Sequence, residues 1–408
     1  DWGSGRQRAH KFVRRERPAP PPFLHDPSSG LPTGDVDRMD TLLKDAWLPI
    51  FQKHKHGPAP SWSSFRQKYE GCIPQGVHMD MGPLTPEKLR CTFKKMDAGT
   101  AHLPDGFRVA ELRALPYAML QRLCEFYNIV EEGGDWPQCM LLALISMIPK
   151  SEESLHASEQ RPISVTSVLY RAWAATRISD MIRWQESWAT KYIYGYRPFI
   201  GCHDAFWQVA LEVEYALLHS EHVCGLSIDL SKAFDNVPWE LTFELAKEVG
   251  MSDRLLGPVK SIYHRLQRRF RLGKFVGEAF SSCNGILQGC PVSVIFMNLL
   301  MQVWSNYLRS TDPQIEPKAF ADDANVTAKQ PASIESALGH TAVFCADTDM
   351  HINVKKTHTW STSPAHRSSL KAIELQGTAI KCVHNERMLG AQMVFTKKTV
   401  SCPDTQKR

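Results

Sequence analysis

Two short apolar runs each close on aspartate, and these two endings constrain the chain more than any other feature of its 408 residues. Phe320-Ala321-Asp322-Asp323 lies between the apolar runs 315–320 and 324–328. That pattern predicts a strand, a two-residue turn carrying both acids, and a returning strand. Neighbouring strand residues point to opposite faces, so a tight turn is one way to present an acid at the tip. Upstream, Leu226-Ser227-Ile228-Asp229-Leu230-Ser231-Lys232-Ala233-Phe234-Asp235 is again an apolar strand closing on an acid. An Asp-Asp pair alone is usually a solvated loop. Carboxylates brought together from two separate strands are what a phosphoryl-transfer site needs to hold two divalent cations roughly 3.5–4 Å apart.

Bulk properties exclude little. A chain 43% hydrophobic and 22% charged is ordinary for a globular protein. The net charge of +5 suits a polyanionic partner without demanding one. Eleven cysteines, an odd number with no C-x-x-C pair, show neither a zinc site nor a disulfide framework, which points to a reducing compartment. No apolar run approaches the ~20 residues of a membrane span. The chain opens Asp1-Trp2 without Met, as expected of a fragment of a longer reading frame.

Four segments are expected: a basic Pro/Gly-rich arm (1–35), a helical extension (36–95), a main domain (96–390) and a polar tail (391–408). The arm, with Arg6, Arg8, Lys11, Arg14, Arg15 and Arg17, serves either as nucleic-acid contact or as a solubilising linker. Helices are predicted at 36–51, from Thr85-Pro86, at 108–131 with Leu112, Leu115, Met119 and Leu123 inward, at 168–188, 203–218, 238–249, 253–266, 292–308, and at 333–347 capped by Ser333. Residues 140–148 and 223–228 read as strands. Residues 267–281 read as a basic hairpin with Arg268, Arg269, Arg271 and Lys274 largely on one face, for phosphate contact or simply as an exposed sheet face. Residues 380–382 and 388–390 suggest a terminal hairpin. In Gly285-Ile286-Leu287-Gln288-Gly289-Cys290-Pro291 the glycines allow close backbone approach to a ligand.

Taken together and in order, these segments resemble the reverse transcriptase domain of non-LTR (LINE-type) retrotransposons. Leu103-Pro104-Asp105-Gly106-Phe107 resembles its entry segment, with Leu103 in place of the usual glycine. Ile148-Pro149-Lys150 with Arg161-Pro162-Ile163-Ser164 resembles its fingers motif, and Tyr194-Gly195-Tyr196-Arg197 a further signature. Asp229 to Asp235, Gly285 to Pro291 and Phe320 to Asp323 resemble the core catalytic motifs. Asn353-Val354-Lys355-Lys356-Thr357 and Leu389-Gly390 resemble the last two, the second being the primer-grip region.

The resemblance implies an α+β right-hand polymerase: fingers, and a palm of antiparallel sheet backed by helices. Only eighteen residues follow Gly390, so the helical thumb is expected to be missing or truncated. It implies an RNA-directed DNA polymerase that joins dNTPs to a DNA primer on an RNA template, with two Mg²⁺ ions and Mn²⁺ as a substitute. No membrane partner is expected, and nothing in the sequence sets the oligomeric state. The work is placed inside the cell, at the nuclear DNA where such elements integrate.

Asp229 and Asp322 are the main metal ligands in this reading, Asp323 the outer one, with the Leu230 carbonyl adding an oxygen. Lys150, Arg161 and Arg197 bind substrate, Lys150 and Arg161 through the triphosphate; taken singly, Lys150 and Arg161 read as surface charges. Phe234 stands as a steric gate against a ribose 2′-hydroxyl, or else as a core aromatic. Gln288 and Gly289 line the base-pair pocket. Lys356 protonates the leaving pyrophosphate, or is a surface lysine. The alternative function is a catalytically inactive or truncated reverse transcriptase-like protein that binds RNA; a maturase of the same fold would need a further domain.

Overall fold

The computed structural model describes residues 23–396 except 102, 104, 105 and 151–153. The Arg-rich part of the arm, Pro104-Asp105 of the entry segment and residues 397–408 lie outside the described residues. What is described is a mixed α and β fold built on two sheets.

The chain begins with a small hairpin, β1 (Leu24–Asp26) and β2 (Leu31–Thr33), followed by the helix Val36–Phe51. Asp35 caps that helix by accepting from the Arg38 N–H. Its inner face (Met39, Leu43, Trp47, Phe51) packs with Ile145, Met147, Phe270 and Phe280. Ile145, Met147 and Phe270 belong to a four-stranded sheet of order β4-β3-β6-β7: β3 (Leu142–Pro149), β4 (Gln160–Val165), β6 (Gln267–Leu272) and β7 (Phe275–Val276). Phe280 bridges to it at Arg268.

The second sheet has order β13-β10-β5-β9-β8. It comprises β5 (Cys224–Ile228), β8 (Glu316–Phe320), β9 (Asp323–Ala328), β10 (His358–Ser361) and β13 (Lys381–Val383). β5 pairs antiparallel with β9 and β10 on its two sides. Gly225 faces Trp360 across one ladder, and a Cβ there would lie 2.0 Å from the indole, so only glycine fits. Helices Val168–Trp188, Pro291–Thr311 and Pro331–Asp347 share one core with this sheet through Trp173, Ile295, Leu299, Trp304 and Phe344 against Leu226, Ile228 and Val326. Two short strands, β11 (Glu374–Leu375) and β12 (Thr378–Ala379), precede β13, and the hairpin β14 (Asn385–Met388)–β15 (Ala391–Val394) follows it.

Several expectations need correction. The 108–131 helix is two, Val109–Ala114 and Tyr117–Glu131, because a residue before proline is driven out of the helical region and Pro116 enforces the break. Met119 is therefore outside, and Leu120, Cys124 and Tyr127 form the buried stripe. The last long helix starts at Pro331, not at a Ser333 cap. Residues 381–383 join the five-stranded sheet in parallel with β10, and the terminal hairpin is β14–β15 around Leu389-Gly390. In the basic hairpin Arg268 lies on the inner face, 2% exposed, under the Phe51 ring at 5.1 Å.

The acidic turn also differs from its reading. Phe320 pairs with Asp323, so the turn residues are Ala321 and Asp322, and Asp323 opens β9. Ala321 has φ +55°, the positive first-position value of a type II′ hairpin usually reserved for glycine.

Candidate active site

A cleft of about 800 Å³ is lined by residues from both sheets, and most of the residues singled out above line it. Lys150 and Arg161 come from the four-stranded sheet, next to each other because Ile148 stands opposite Arg161 in the β3–β4 ladder. Asp229, Leu230 and Phe234 come from the end of β5, Asp322 and Asp323 from the β8–β9 turn, and Gln288 and Lys356 from the loops between.

The Asp229 end of β5 is clamped by the segment before β10. Its backbone N–H donates to Thr357 Oγ1 (3.2 Å) and its carbonyl accepts from the Asn353 N–H (2.7 Å). The turn bearing Asp322 is braced from the opposite side. Tyr194 donates its N–H to the Ala319 carbonyl (2.8 Å), and the Tyr196 ring stacks on Phe320. Buried Asn298, on the long helix, donates to the Gly195 carbonyl (2.7 Å) and to Gln185 Oε1 (2.9 Å), while Gln185 donates to the Tyr196 carbonyl.

Two predicted residues do other work. Arg197 does not line the cleft. Its guanidinium forks onto Glu186 (2.9 and 2.8 Å) and donates to the Thr190 and Ile193 carbonyls, tying down the turn it belongs to. Gly289 is absent from the lining as well; with φ +114° and a virtual Cβ 3.2 Å from the Ser164 carbonyl, it lets the 285–291 loop lie against β4. The Ser164 N–H in turn donates to the Gln288 carbonyl (3.0 Å).

Sequence reasoning missed several lining groups. Trp47, Pro49, Ile50 and Lys53 reach the cleft from the first helix and its end, where no motif marks them. Lys232, at φ +47°, sits 4.1 Å over the Trp47 ring. Asp235 accepts from Gln288 Nε2 at 2.9 Å. Its proximity to Asp229 within one apolar–acidic run was the available signal.

The electrostatics follow from crowding. Burial, then repulsion by Asp229, raises the Asp322 carboxyl above the usual range. Burial, then Asp322 and Asp229, push Asp323 up to about 6, although its side chain is open enough to water to screen part of that push. Burial raises Asp235 to about 7 against the Gln288 bond. Desolvation, then Lys356 and Arg161, lowers Lys150, although the residue as a whole is exposed and only its inner reach is desolvated. Acids crowded on one wall and cations on the other favour a ligand that brings both positive and negative charge.

Among the described residues no three His, Cys, Asp or Glu side chains close into a cage that would hold a metal ion by themselves. Asp229 beside Asp322 and Asp323, whose carboxyl pKa values burial and neighbouring acids raise, nevertheless fits a hard cation. Mg²⁺ characteristically keeps several waters and takes one or two carboxylates plus substrate phosphate oxygens.

Comparison with known proteins places this geometry in context. The family described as reverse transcriptase (RNA-dependent DNA polymerase) matches residues 148–392. The retrovirus-related Pol polyprotein from type-2 retrotransposable element R2DM of Drosophila melanogaster is 24% identical over 351 residues, covering 82% of this chain and 31% of that protein. The RNA-directed DNA polymerase from mobile element jockey, also of Drosophila melanogaster, is 21% identical over 335 residues, 80% of this chain and 36% of that protein. A 149 kDa protein of transposon TX1 from Xenopus laevis is 21% identical over 252 residues, 57% of this chain and 19% of that protein. The chain thus spans about a third or less of the length of the curated relatives it matches first. No described helix is long and apolar enough to cross a membrane.

Proposed function

Because the chain belongs to the reverse transcriptase (RNA-dependent DNA polymerase) family, we propose that it carries the polymerase centre of a LINE-type retroelement protein and extends a DNA primer on an RNA template. The four-stranded sheet with its covering helix corresponds to fingers in this reading, and the five-stranded sheet to the palm. The observation that carries the proposal is the meeting of Asp229, Asp322 and Asp323 on one wall of a cleft whose other wall bears Lys150 and Arg161.

In the reaction the primer 3′-oxygen bonds to the α-phosphorus of a dNTP, the bond from that phosphorus to the bridging oxygen breaks, and pyrophosphate leaves. Two Mg²⁺ ions held by Asp229 and Asp322, with Asp323 outside them and the Leu230 carbonyl as a further oxygen, would supply Lewis-acid activation and neutralise phosphate charge. Arg161 offers a planar fork and Lys150 a compact charge to the triphosphate. Burial lowers the Lys150 pKa, and approaching phosphates would favour its charged form. The half-buried Phe234 ring stands where a 2′-hydroxyl would clash. Gln288 faces the same space with its amide fixed by Asp235. Lys356 gives a proton to the departing pyrophosphate.

The test is incorporation of labelled dNTP on an RNA template with a DNA primer and Mg²⁺, by the chain and by Asp322→Asn. Extension that disappears in the variant is expected; extension that survives it refutes the site. Absence of extension by the parent chain, with primer–template bound, favours an RNA-binding role instead.

A further inference from the structure

The β14–β15 hairpin brings Met388 and Leu389 to a second cavity, of about 240 Å³, whose wall also includes Asp229 and Asp323. Among the described residues this hairpin is a sheet of its own, with no ladder to the five-stranded sheet. It is tethered to β13 through the single residue His384 and packs through Met388, Met393 and Phe395 against Trp360, so side chains add to that tether in setting its distance from the acids.

The register shows which ones. His358 stands opposite Ser227, and Ser227 opposite Asn325, so the three make one row across β10, β5 and β9. Residues two apart share a face. Two residues further along that face, past Ser227 and Asn325, come Asp229 and Asp323, the row of the acids. Glu386, from β14, sits on the first row. It accepts from Ser227 Oγ at 2.9 Å and from His358 Nε2, and its side chain is 5% exposed. His358 Nδ1 lies 2.9 Å from the Lys356 carbonyl.

Both imidazole nitrogens thus face acceptors, so both carry protons, and the pair is imidazolium against carboxylate. Burial opposes that charge, the Glu386 bond favours it, and the net shift of His358 is upward. Ser227 has one hydroxyl proton. It is shared between two acceptors, Glu386 Oε1 and the Asn325 amide oxygen at 2.8 Å. Ser227 and His358 together anchor Glu386.

We propose that Glu386, seated on Ser227 and His358, is a positioning residue that sets the spacing between the hairpin and the acid row and thereby aligns the primer 3′ terminus. The step between rows is about 6.6–6.8 Å, two residues of strand rise. The proposal rests on the polymerase reading above. Glu386 acts through the hairpin and touches no substrate.

The experiment compares the chain with Glu386→Ala, Glu386→Asp and Ser227→Ala in single-turnover extension of a bound primer. That rate does not depend on the fraction of folded enzyme. Primers with matched and mismatched 3′ ends are used, and primer–template Kd is measured alongside. Glu386→Ala is expected to slow matched extension about 10–100-fold, as a misplacement of ångström scale does. Kd should move less than threefold, and discrimination against the mismatched end should narrow. Glu386→Asp keeps the charge but not the reach, and is expected to be nearly as slow as Ala; rescue by Asp would reduce Glu386 to a charge partner and overturn the proposal. Ser227→Ala, which removes one hydrogen bond, should slow extension by severalfold. Variants that extend within twofold of the parent also overturn it. A parent chain that does not extend at all refutes the polymerase reading first, and this proposal with it.

Discussion

Replacing Gly195 by alanine tests whether the turn bearing Asp322 is held from behind. The added Cβ would lie 2.8 Å from the Ala321 backbone nitrogen and 3.0 Å from Asn298 Oδ1. Neither obstacle is the tip of a flexible side chain: one is backbone, and the other belongs to the buried Asn298 amide, whose Nδ2 is held by Gln185 Oε1. Ordinary contact begins near 3.4 Å, so something must move by about 0.6 Å (3.4 − 2.8). The 192–194 segment is joined to β8 by the Tyr194–Ala319 and Ala319–Tyr192 hydrogen bonds, so the displacement passes into Ala321, which is already at φ +55°. Overpacking of this kind costs about 1–3 kcal/mol of stability. A 1 Å misplacement of reacting groups costs about 100-fold in rate, so 0.6 Å predicts a loss of about 10-fold or more. Thermal unfolding reads the first quantity and single-turnover primer extension the second. A variant with lowered Tm and an unchanged single-turnover rate would refute the idea that this contact sets the position of Asp322.

Asp322→Asn should lower extension by about 10³-fold or more, the scale of several kcal/mol of lost transition-state stabilisation. It should also raise Tm at pH 7.5 without divalent ions, because it removes a buried charge that Asp229 repels; calorimetry in EDTA checks this. The folded pKa of Asp323, about 6, lies above its value of 3.8 in the unfolded chain. Its contribution to metal-free stability is therefore full below pH 4 and lost as pH rises through 6, while Mg²⁺ binding strengthens over the same interval; unfolding scans and metal titrations from pH 4 to 8 should show opposite trends. Phe234→Ala should admit rNTPs, narrowing the dNTP:rNTP ratio of kcat/KM by about 10–200-fold. Arg177→Met should cost about 3–5 kcal/mol in urea unfolding, because it leaves Glu131, 3% exposed, with only the Trp173 indole at 2.9 Å and the longer Arg254 pair at 3.6 Å.

Local structure was legible wherever one local cause dominated. The 36–51 helix, the Thr85 cap and the 168–188 helix follow from capping and apolar spacing alone, and they appear with those bounds or within a residue or two of them. Misreadings arose where two causes competed. Apolar spacing ran through 115–117, but Pro116 overruled it. Alternation in 267–272 was read by charge, yet the face that packs on the first helix takes Arg268 in with Phe270 and Leu272, since an inward face is set by the sheet's position and not by residue type. The cleft was legible only in part for the same reason. Asp229 and Asp322 declare themselves by ending apolar runs. Trp47 and Lys53 reach the cleft only because their helix lies over the other sheet, and that long-range placement leaves no trace in local sequence.

The unequal standing of the two turn acids shows what local sequence leaves undetermined. Placed together in a turn, Asp322 and Asp323 would be near-equivalent and free to exchange roles. The register gives them different backbones instead: Asp322 occupies the turn, and Asp323 is fixed by its pairing with Phe320 at the start of β9. Both acids feel Asp229, but Asp322 is the less exposed of the two, whereas Asp323 is open to water. The cost of this arrangement is a non-glycine residue at positive φ, a strain of about 1–3 kcal/mol that persists only where the surroundings impose it. Here Gly195, Asn298 and the stacked Tyr196–Phe320 pair impose it. On the proposed polymerase reading, an inner acid near Asp229 and an outer one reached through solvent would hold two cations unequally, which suits an in-line displacement because its attacking and leaving oxygens are different groups.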